Sequence, residues 1–267
     1  MVSVVAPVLV AAIVALPLGW ALVASLTPEA TLFRGALPSA GELTFAHYRA
    51  VFTERDFWAP IRSSLIVAGV TTALCLTIGT MAAYALVRLR LPYARTILFA
   101  MLAATMFPQI SIVSPLFLLL RWLRLIDTYP GLILPYLTFA LPLAVWLLVG
   151  VFRALPPELE ESALVDGTTR WGAFTRVALP LAAPGIATAG IVTFLFAWNE
   201  FLFALSFTLG ADRQTVPVAI AMFRGQYQVP WGEVLAASMI ATLPVLLVVL
   251  LFQRRIVQGL TSGAVTG

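Results

Sequence analysis

Six long apolar stretches, each free of charged residues, dominate the hydrophobic pattern of this 267-residue chain. They cover residues 1–28, 63–87, 96–120, 128–152, 177–199 and 234–253, and the shortest holds 20 residues. A helix needs about 20 apolar residues to cross the hydrocarbon core of a bilayer. The pattern therefore predicts an all-α integral membrane protein with one domain over residues 1–267 and six transmembrane helices.

The third apolar stretch contains two prolines, Pro108 and Pro115, within MFPQISIVSP. Each proline removes a backbone donor, so this span should be kinked or locally unwound. In lipid, the freed carbonyls need neighbouring helices or a water-filled cavity. Two interpretations stay open: simple kinks, which are common in membrane helices, or a break that lines a cavity.

A polar stretch from Pro156 to Pro180 separates the fourth and fifth spans. Pro156 and Pro157 suit a helix start, where the missing donors are not needed, and the acids that follow suit the positive end of the helix dipole. Gly167 suits the position just past a helix end. We predict a short helix over Pro157–Asp166, about 15 Å long.

A second short helix should follow, with Thr168 or Thr169 as its N-cap. Its apolar face is expected to contain Trp171, Phe174 and either Val177 or Ala178. Both helices would then lie across the membrane surface before Pro180 opens the fifth span. Periodicity alone also fits a plain interfacial anchor.

Composition narrows the chemistry that the chain can perform. Charged residues make up 10% of the chain and hydrophobic residues 61%, against about 25% charged in soluble domains. The arginines are scattered over the loops and form no patch for nucleic acid. The chain has no lysine, which a Walker A phosphate loop requires, and a single histidine, His47, cannot build a multi-histidine metal site. We expect no metal site, no ATP site and no catalytic residues on this chain.

A spaced motif lies within the polar stretch. Glu-Ser-Ala is followed after three residues by glycine, after nine more by valine, and after one more by Leu-Pro. This spacing closely resembles the EAA loop of ABC importer permeases, with serine for one alanine and valine for isoleucine. The matching positions are Glu161, Ser162, Ala163, Gly167, Val177, Leu179 and Pro180.

The resemblance extends over nearly the whole chain and is weakest in the first span. The segment FLFAWNEFLFAL, residues 194–205, is similar to the fifth span of carbohydrate permeases. Trp231–Glu233 and the ending FQRRIVQGLTSGAVTG resemble the smaller, six-span permease subunit of the maltose/trehalose type. Thr266 departs from the lysine that this family often has there, which weakens any contact through that position.

The resemblance implies a type I ABC importer permease fold with a cytoplasmic coupling loop at residues 153–183 and a cytoplasmic tail at residues 254–267. It implies a bacterial cytoplasmic membrane location with both termini inside, an orientation that the balanced arginines of the loops cannot decide. The expected partners are a second permease subunit, two ATPase subunits that carry ATP and Mg, an extracytoplasmic sugar-binding protein and membrane lipid.

The resemblance also implies three sets of contact residues. The residues expected to couple to the ATPases are Glu160, Glu161, Ser162, Ala163, Asp166, Gly167 and Phe174. The outer loop before the last span would reach into the sugar-binding protein through Phe223, Arg224, Gly225, Gln226 and Tyr227, unless it is an ordinary surface loop. The tail would insert between the ATPase subunits through Gly259, Leu260, Thr261, Ser262 and Gly263, unless it is a frayed end.

The fifth span, expected to reach about Phe207, contains the only acidic residue of any span, Glu200. Such residues usually face the bundle interior or a cavity. Glu200 either joins helices through hydrogen bonds or lines the translocation pathway. The candidate pathway residues are Trp198, Asn199, Glu200 and Phe201.

The spans contain no arginine, which favours a neutral, hydroxyl-rich solute. The resemblance suggests an α-linked disaccharide such as trehalose or maltose. An ABC permease for glycerol-phosphate esters is the main alternative. An ion-coupled secondary transporter is a further one, although it would need internal repeats and several intramembrane ionisable groups.

Overall fold

The structure, a computed structural model, describes residues 2–33, 38–89, 91–223 and 229–262. All regular secondary structure in these ranges is helical, as predicted. The helices are α1 Val2–Ser25, α2 Glu29–Leu32, α3 Ala46–Thr53, α4 Trp58–Arg88, α5 Ala94–Thr105, α6 Gln109–Trp122, α7 Tyr129–Ala154, α8 Glu158–Val165, α9 Arg170–Ala173, α10 Leu179–Trp198, α11 Leu202–Phe207, α12 Val216–Ala221 and α13 Trp231–Ser262.

The helices follow the six predicted apolar stretches. Four helices of the described chain are long and apolar enough to cross a membrane, namely α4, α7, the continuous helix Arg170–Trp198 and the apolar part of α13. The bent pair of α5 and α6 raises this number to five. The described apolar part of α1, Ala15–Ser25, is shorter than these spans.

The third span is broken, as its prolines predict. α5 ends at Thr105, α6 begins at Gln109, and the two helices meet at an angle of 90°. Pro108 precedes the first residue of α6 and cannot continue the hydrogen bonding of α5. Pro115 lies inside α6 without ending it.

α4 and α7 run side by side in the same direction, and two apolar cores lie along them. Near their starts the buried residues include Phe57, Tyr136, Phe203 and Phe207. Near their ends the second core holds Leu148, Phe152, Phe174 and Ala178. α10 returns against both helices at close range. A Cβ added at Gly185 would lie 2.5 Å from a methyl group of Val151 on α7, and one added at Gly190 would lie 3.0 Å from Leu76 on α4. Small residues at such crossings allow membrane helices to approach closely.

The second short helix of the polar stretch is not separate from the fifth span, which corrects the expectation of two helices lying across the membrane surface. Thr169 is its N-cap, as predicted, and its hydroxyl accepts a hydrogen bond from the Gly172 amide at 3.1 Å. From Arg170 the helix runs without interruption to Trp198. A π turn at Phe174–Ala178 precedes Pro180. This local widening accommodates the proline in a continuous helix.

Two further boundaries differ from the sequence prediction. The fifth span ends at Trp198 instead of continuing to about Phe207, and α11 restarts at Leu202. α13 continues beyond the predicted end of the sixth span at Gln253 and reaches Ser262. Helix thus extends into the segment predicted as a tail.

Candidate coupling surface and translocation pathway

The predicted helix after Pro157 exists as α8 and ends where the sequence indicates. Three glutamates occupy its first turn, where the helix dipole favours them. Gly167 has φ +85°, a conformation that L-residues with a side chain rarely adopt. The amide of Gly167 donates to the Leu164 carbonyl at 3.1 Å, and the amide of Thr168 donates to the Ala163 carbonyl at 3.0 Å. Gly167 therefore closes α8 and turns the chain back toward the membrane.

The outer face of α8 is open to a partner. This outer face consists of Glu158, Glu161, Ser162 and Val165, which are all exposed. Val165 is 87% exposed, and the flanking side chains of Leu159 and Leu164 are also exposed. Of these three apolar side chains, Val165 lies on the outer face itself and is the most exposed, so it is the apolar side chain that a partner bound to this face would cover.

The buried residue on the inner face of α8 is Glu160, which is 6% exposed. The Glu160 carboxylate accepts hydrogen bonds at 2.8 Å from the Tyr84 hydroxyl and at 2.8 Å from Nε of Arg88. Nη2 of Arg88 also donates to the Leu155 carbonyl at 2.8 Å. A buried carboxylate paired in this way avoids the cost of an isolated buried charge. Glu160, one of the predicted coupling residues, therefore uses its carboxylate to bind α4 and does not face outward.

Phe174 is also turned inward, in contrast to the exposed coupling residues Glu161, Ser162, Asp166 and Gly167. Its ring packs on Tyr84 with 4.7 Å between centroids. Ala163 is half-buried. Of the predicted apolar face, Phe174 and Ala178 are buried while Trp171 is 61% exposed.

The candidate pathway residues lie at the break between α10 and α11. Asn199 is exposed, and its side-chain amide donates to the Leu195 carbonyl at 2.8 Å. Trp198 is buried and stacks on Phe194 with centroids 5.6 Å apart. Phe201 is 40% exposed. The break therefore presents Asn199 and Phe201 outward while Trp198 packs inside.

Glu200 stabilises this break. It is 7% exposed, and its two carboxylate oxygens accept from the amides of Phe203 at 2.8 Å and Ala204 at 3.1 Å. The first amides of a helix have no partner within the helix, so Glu200 supplies the acceptors that α11 lacks. The sequence showed the intramembrane acid but carried no signal for this capping role.

Three buried hydroxyls of the bundle carried no signal in the sequence. The hydroxyl oxygens of Thr71, Tyr136 and Thr215 have no hydrogen-bond partner within the described part of the chain. Tyr136 interacts electrostatically with Glu200. Tyr136 lies on α7 and Glu200 at the break after α10, so only the packed bundle brings these two residues together.

Of the predicted outer-loop residues, the structure describes Phe223, which lies at the base of the loop. Phe223 is buried, packs edge-on against Phe57 with centroids 5.7 Å apart, and lies under the Arg55 guanidinium at 5.2 Å. Arg55 in turn forms an ion pair with Glu233 at 2.8 Å. The other loop residues of the prediction, Arg224, Gly225, Gln226 and Tyr227, lie outside the described residues.

The tail residues are partly described. Gly259, Leu260, Thr261 and Ser262 belong to the last turns of α13, and Gly263 lies outside the described residues. No group of three or more His, Cys, Asp or Glu side chains that could hold a metal ion occurs in the described ranges.

Known proteins match this chain over most of its length. The sequence profile of the family "Binding-protein-dependent transport system inner membrane component" matches residues 75–262. The trehalose transport system permease protein SugB of Mycobacterium tuberculosis is 48% identical over 94% of this chain and 92% of its own. The sulfoquinovosyl glycerol transport system permease protein SmoH of Agrobacterium fabrum is 40% identical, covering 94% and 88%.

An archaeal relative and a solved structure agree with these matches. The trehalose/maltose transport system permease protein MalG of Thermococcus litoralis is 38% identical over 97% of this chain and 94% of its own. A chain of a bacterial ABC transporter involved in import of the acidic polysaccharide alginate has the same fold, with a TM-score of 0.78 at 22% identity, covering 95% and 94%. The chain therefore belongs to the binding-protein-dependent transport system inner membrane component family, as a multi-pass ABC permease of the carbohydrate-uptake type.

Proposed function

We propose that this chain is one of two permease subunits of an ATP-driven importer, and that α8 receives the movement of two separate ATPase subunits. The observation that carries this proposal is the exposed outer face of α8, where Val165 projects among acidic and hydroxyl side chains on a helix fixed at its inner face. ATP and Mg bind to the ATPase subunits. Their closure around ATP displaces α8, and the spans rock between inward-facing and outward-facing states.

This proposal sets the orientation of the chain in a bacterial cytoplasmic membrane. α8 lies at the cytoplasmic face, and both termini are cytoplasmic. The loop that contains Phe223 then faces the extracytoplasmic sugar-binding protein, with its stem braced by Arg55. The last turns of α13 emerge beside the ATPases, where Gly259–Ser262 can contact them. The second permease subunit and lipid cover the remaining apolar surface.

The proposed substrate is a neutral α-linked disaccharide such as trehalose or maltose. Two relatives carry trehalose in their names. The charge-free stretches of the spans offer no arginine to an anion. At the break in span five, Phe201 offers an exposed ring and Asn199 an exposed amide, groups that stack on and hydrogen-bond to sugars. The second permease subunit contributes the rest of the pathway.

A second candidate substrate class is an anionic glycerol compound, either a glycerol-phosphate ester or a sulfonated glycoside. The observation that favours it is the 40% identity with the sulfoquinovosyl glycerol permease SmoH of Agrobacterium fabrum. Such a substrate requires cationic groups along the pathway, which this chain lacks within its apolar stretches. The second permease subunit would have to supply them.

Reconstitution of the complete importer tests both levels of the proposal. The chain is purified with its genomic neighbours, placed in proteoliposomes, and supplied with ATP and the binding protein. We expect ATPase subunits to copurify and radiolabelled trehalose to accumulate, with maltose competing and glycerol-3-phosphate not competing. Absence of ATPase subunits would contradict the coupling proposal, whereas uptake of glycerol-3-phosphate or sulfoquinovosyl glycerol alone would contradict the disaccharide.

A further inference from the structure

We propose that Tyr84, Arg88 and Glu160 form a transmission node that carries the displacement of α8 directly to α4, the second span. The inference rests on the proposed coupling function and adds positioning residues to it. The node lies on the face of α8 opposite the one offered to the ATPases. Its hydrogen bonds join α8 to α4 through residues that lie 72 and 76 positions apart in the sequence.

Glu160 differs in burial from the two other glutamates in the first turn of α8. Glu158, Glu160 and Glu161 all lie in the first turn of α8 and serve the helix dipole alike. Only Glu160 of these three is buried. Its ion pair with Arg88 is also shielded, with side-chain exposures of 15% for Arg88 and 8% for Glu160. Shielded charge-assisted hydrogen bonds are short and little weakened by salt.

Arg88 also fixes the connection that leads into α8. Its Nε bonds to Glu160 while its Nη2 bonds to the carbonyl of Leu155, the residue that follows α7. The planar guanidinium therefore holds α8 and its linker in one geometry relative to α4. Because Arg88 bonds both to Leu155, where the linker begins, and to Glu160 in the first turn of α8, a displacement of α8 also acts on α4.

Tyr84 extends the node to two more spans. It lies one helical turn before Arg88 on α4, and its hydroxyl bonds to Glu160. Its ring contacts Phe152 of α7 edge-on at 5.6 Å and Phe174, at the start of the fifth span, at 4.7 Å. The second, fourth and fifth spans thus meet α8 around the buried carboxylate of Glu160. Packed contacts of this kind pass movement as discrete rearrangements rather than as bending.

Three variants in the reconstituted importer test the node: Tyr84→Phe, Glu160→Gln and the exchange Arg88→Glu with Glu160→Arg. The measured quantity is trehalose accumulated per ATP hydrolysed, with copurification of ATPase subunits measured in parallel. We expect Glu160→Gln to assemble and to lose at least about fivefold in uptake per ATP, the lower end of measured coupling between sites. The exchange should recover part of this loss.

Tyr84→Phe keeps the ring packing and removes only the hydroxyl, so it remains informative if the charge variants do not assemble. It should lower uptake per ATP by at least about twofold, the lower end of the net contribution of one hydrogen bond. Glu54→Gln changes an exposed glutamate that follows α3 directly and lies outside the node. It is the matched control and should retain wild-type uptake per ATP. Glu161→Gln on the outer face should weaken retention of the ATPase subunits instead.

The outcomes separate the two proposals. If the wild-type chain retains no ATPase subunit, the coupling function itself is wrong. If the wild type couples and Tyr84→Phe and Glu160→Gln both transport with unchanged uptake per ATP, the node is wrong while the coupling function stands. A purely structural role predicts reduced assembly with unchanged uptake per ATP in the complexes that do form, and that result also overturns the node.

Discussion

The two buried carboxylates of the described chain, Glu160 and Glu200, are stabilised in opposite ways. Glu160 is satisfied by side chains of another helix, Tyr84 and Arg88. The two carboxylate oxygens of Glu200 accept from backbone amides three and four residues further along its own segment, and its link to another span is the electrostatic interaction with Tyr136 of α7. The first arrangement forms only when α4 and α8 are correctly placed. The second forms with the helix that it caps.

This difference indicates what each acid controls. Glu200 fixes a local feature, the break between α10 and α11, because it provides acceptors for amides that lipid cannot satisfy. Glu160 fixes a relation between two elements, because its partners lie on the second span. Substitutions should therefore act locally at Glu200 and at a distance at Glu160.

The largest effect is expected from Arg88→Leu, which removes the charge partner of Glu160. Breaking a buried ion pair by removing one partner costs about 3–5 kcal/mol, because the remaining charge stays buried. Thermal unfolding of the purified complex in detergent measures it. Arg55→Leu is the matched control, since its ion pair with Glu233 has the same 2.8 Å distance but side-chain exposures of 36% and 17%. Its cost should be about 1 kcal/mol or less, and equal shifts in melting temperature would contradict the contrast.

Gly167→Val should have the next largest effect, because it displaces α8 without touching either carboxylate. A β-branched residue at φ +85° costs about 2 kcal/mol in backbone strain. No atom lies within 4 Å of the added Cβ, so crowding does not contribute. Trehalose uptake should fall by about tenfold, the equivalent of about 1.4 kcal/mol, while membrane insertion persists. Gly167→Asn should fall less, since asparagine tolerates this conformation, and equal losses would rule out the backbone explanation.

Glu200→Ala should destabilise α11 by about 0.5–2 kcal/mol, the range for losing a side-chain acceptor of the first helix amides. Amide hydrogen exchange should accelerate at Phe203 and Ala204 and remain unchanged in α8. Glu160→Ala should show the reverse pattern: amide exchange should accelerate in α8 and remain unchanged in α11. Accelerated exchange in both regions after either substitution would show that the two sites are not independent.

The smallest effect on stability is expected from Asn199→Ala. Its side chain is exposed and bonds only to the Leu195 carbonyl, so the free energy of unfolding should change by about 0.5 kcal/mol or less. If Asn199 lines the pathway, the KM for trehalose uptake should rise in this variant while the melting temperature stays constant. An unchanged KM would leave Asn199 as an exposed helix end with no contact to the sugar.

Local signals predicted much of the fold and of the coupling loop. The lengths of the apolar stretches indicated the spanning helices, Pro108 indicated the break in the third span, and Gly167 and Thr169 indicated the turn after α8. Each of these features depends on residues within a few positions of one another. The same signals misplaced the end of the fifth span, because nothing in the neighbourhood of Glu200 distinguishes a capping acid from one that faces another helix.

By itself, the sequence determined where the membrane helices lie, where α8 begins and ends, and to which family the chain belongs, because these follow from apolar length, caps and motif spacing. Only the tertiary structure decided that Glu160, alone among three neighbouring glutamates, faces inward. It also decided that the helix continues through Pro180 by way of a π turn. Burial depends on which distant elements meet, and Arg88 lies 72 residues before Glu160 along the chain.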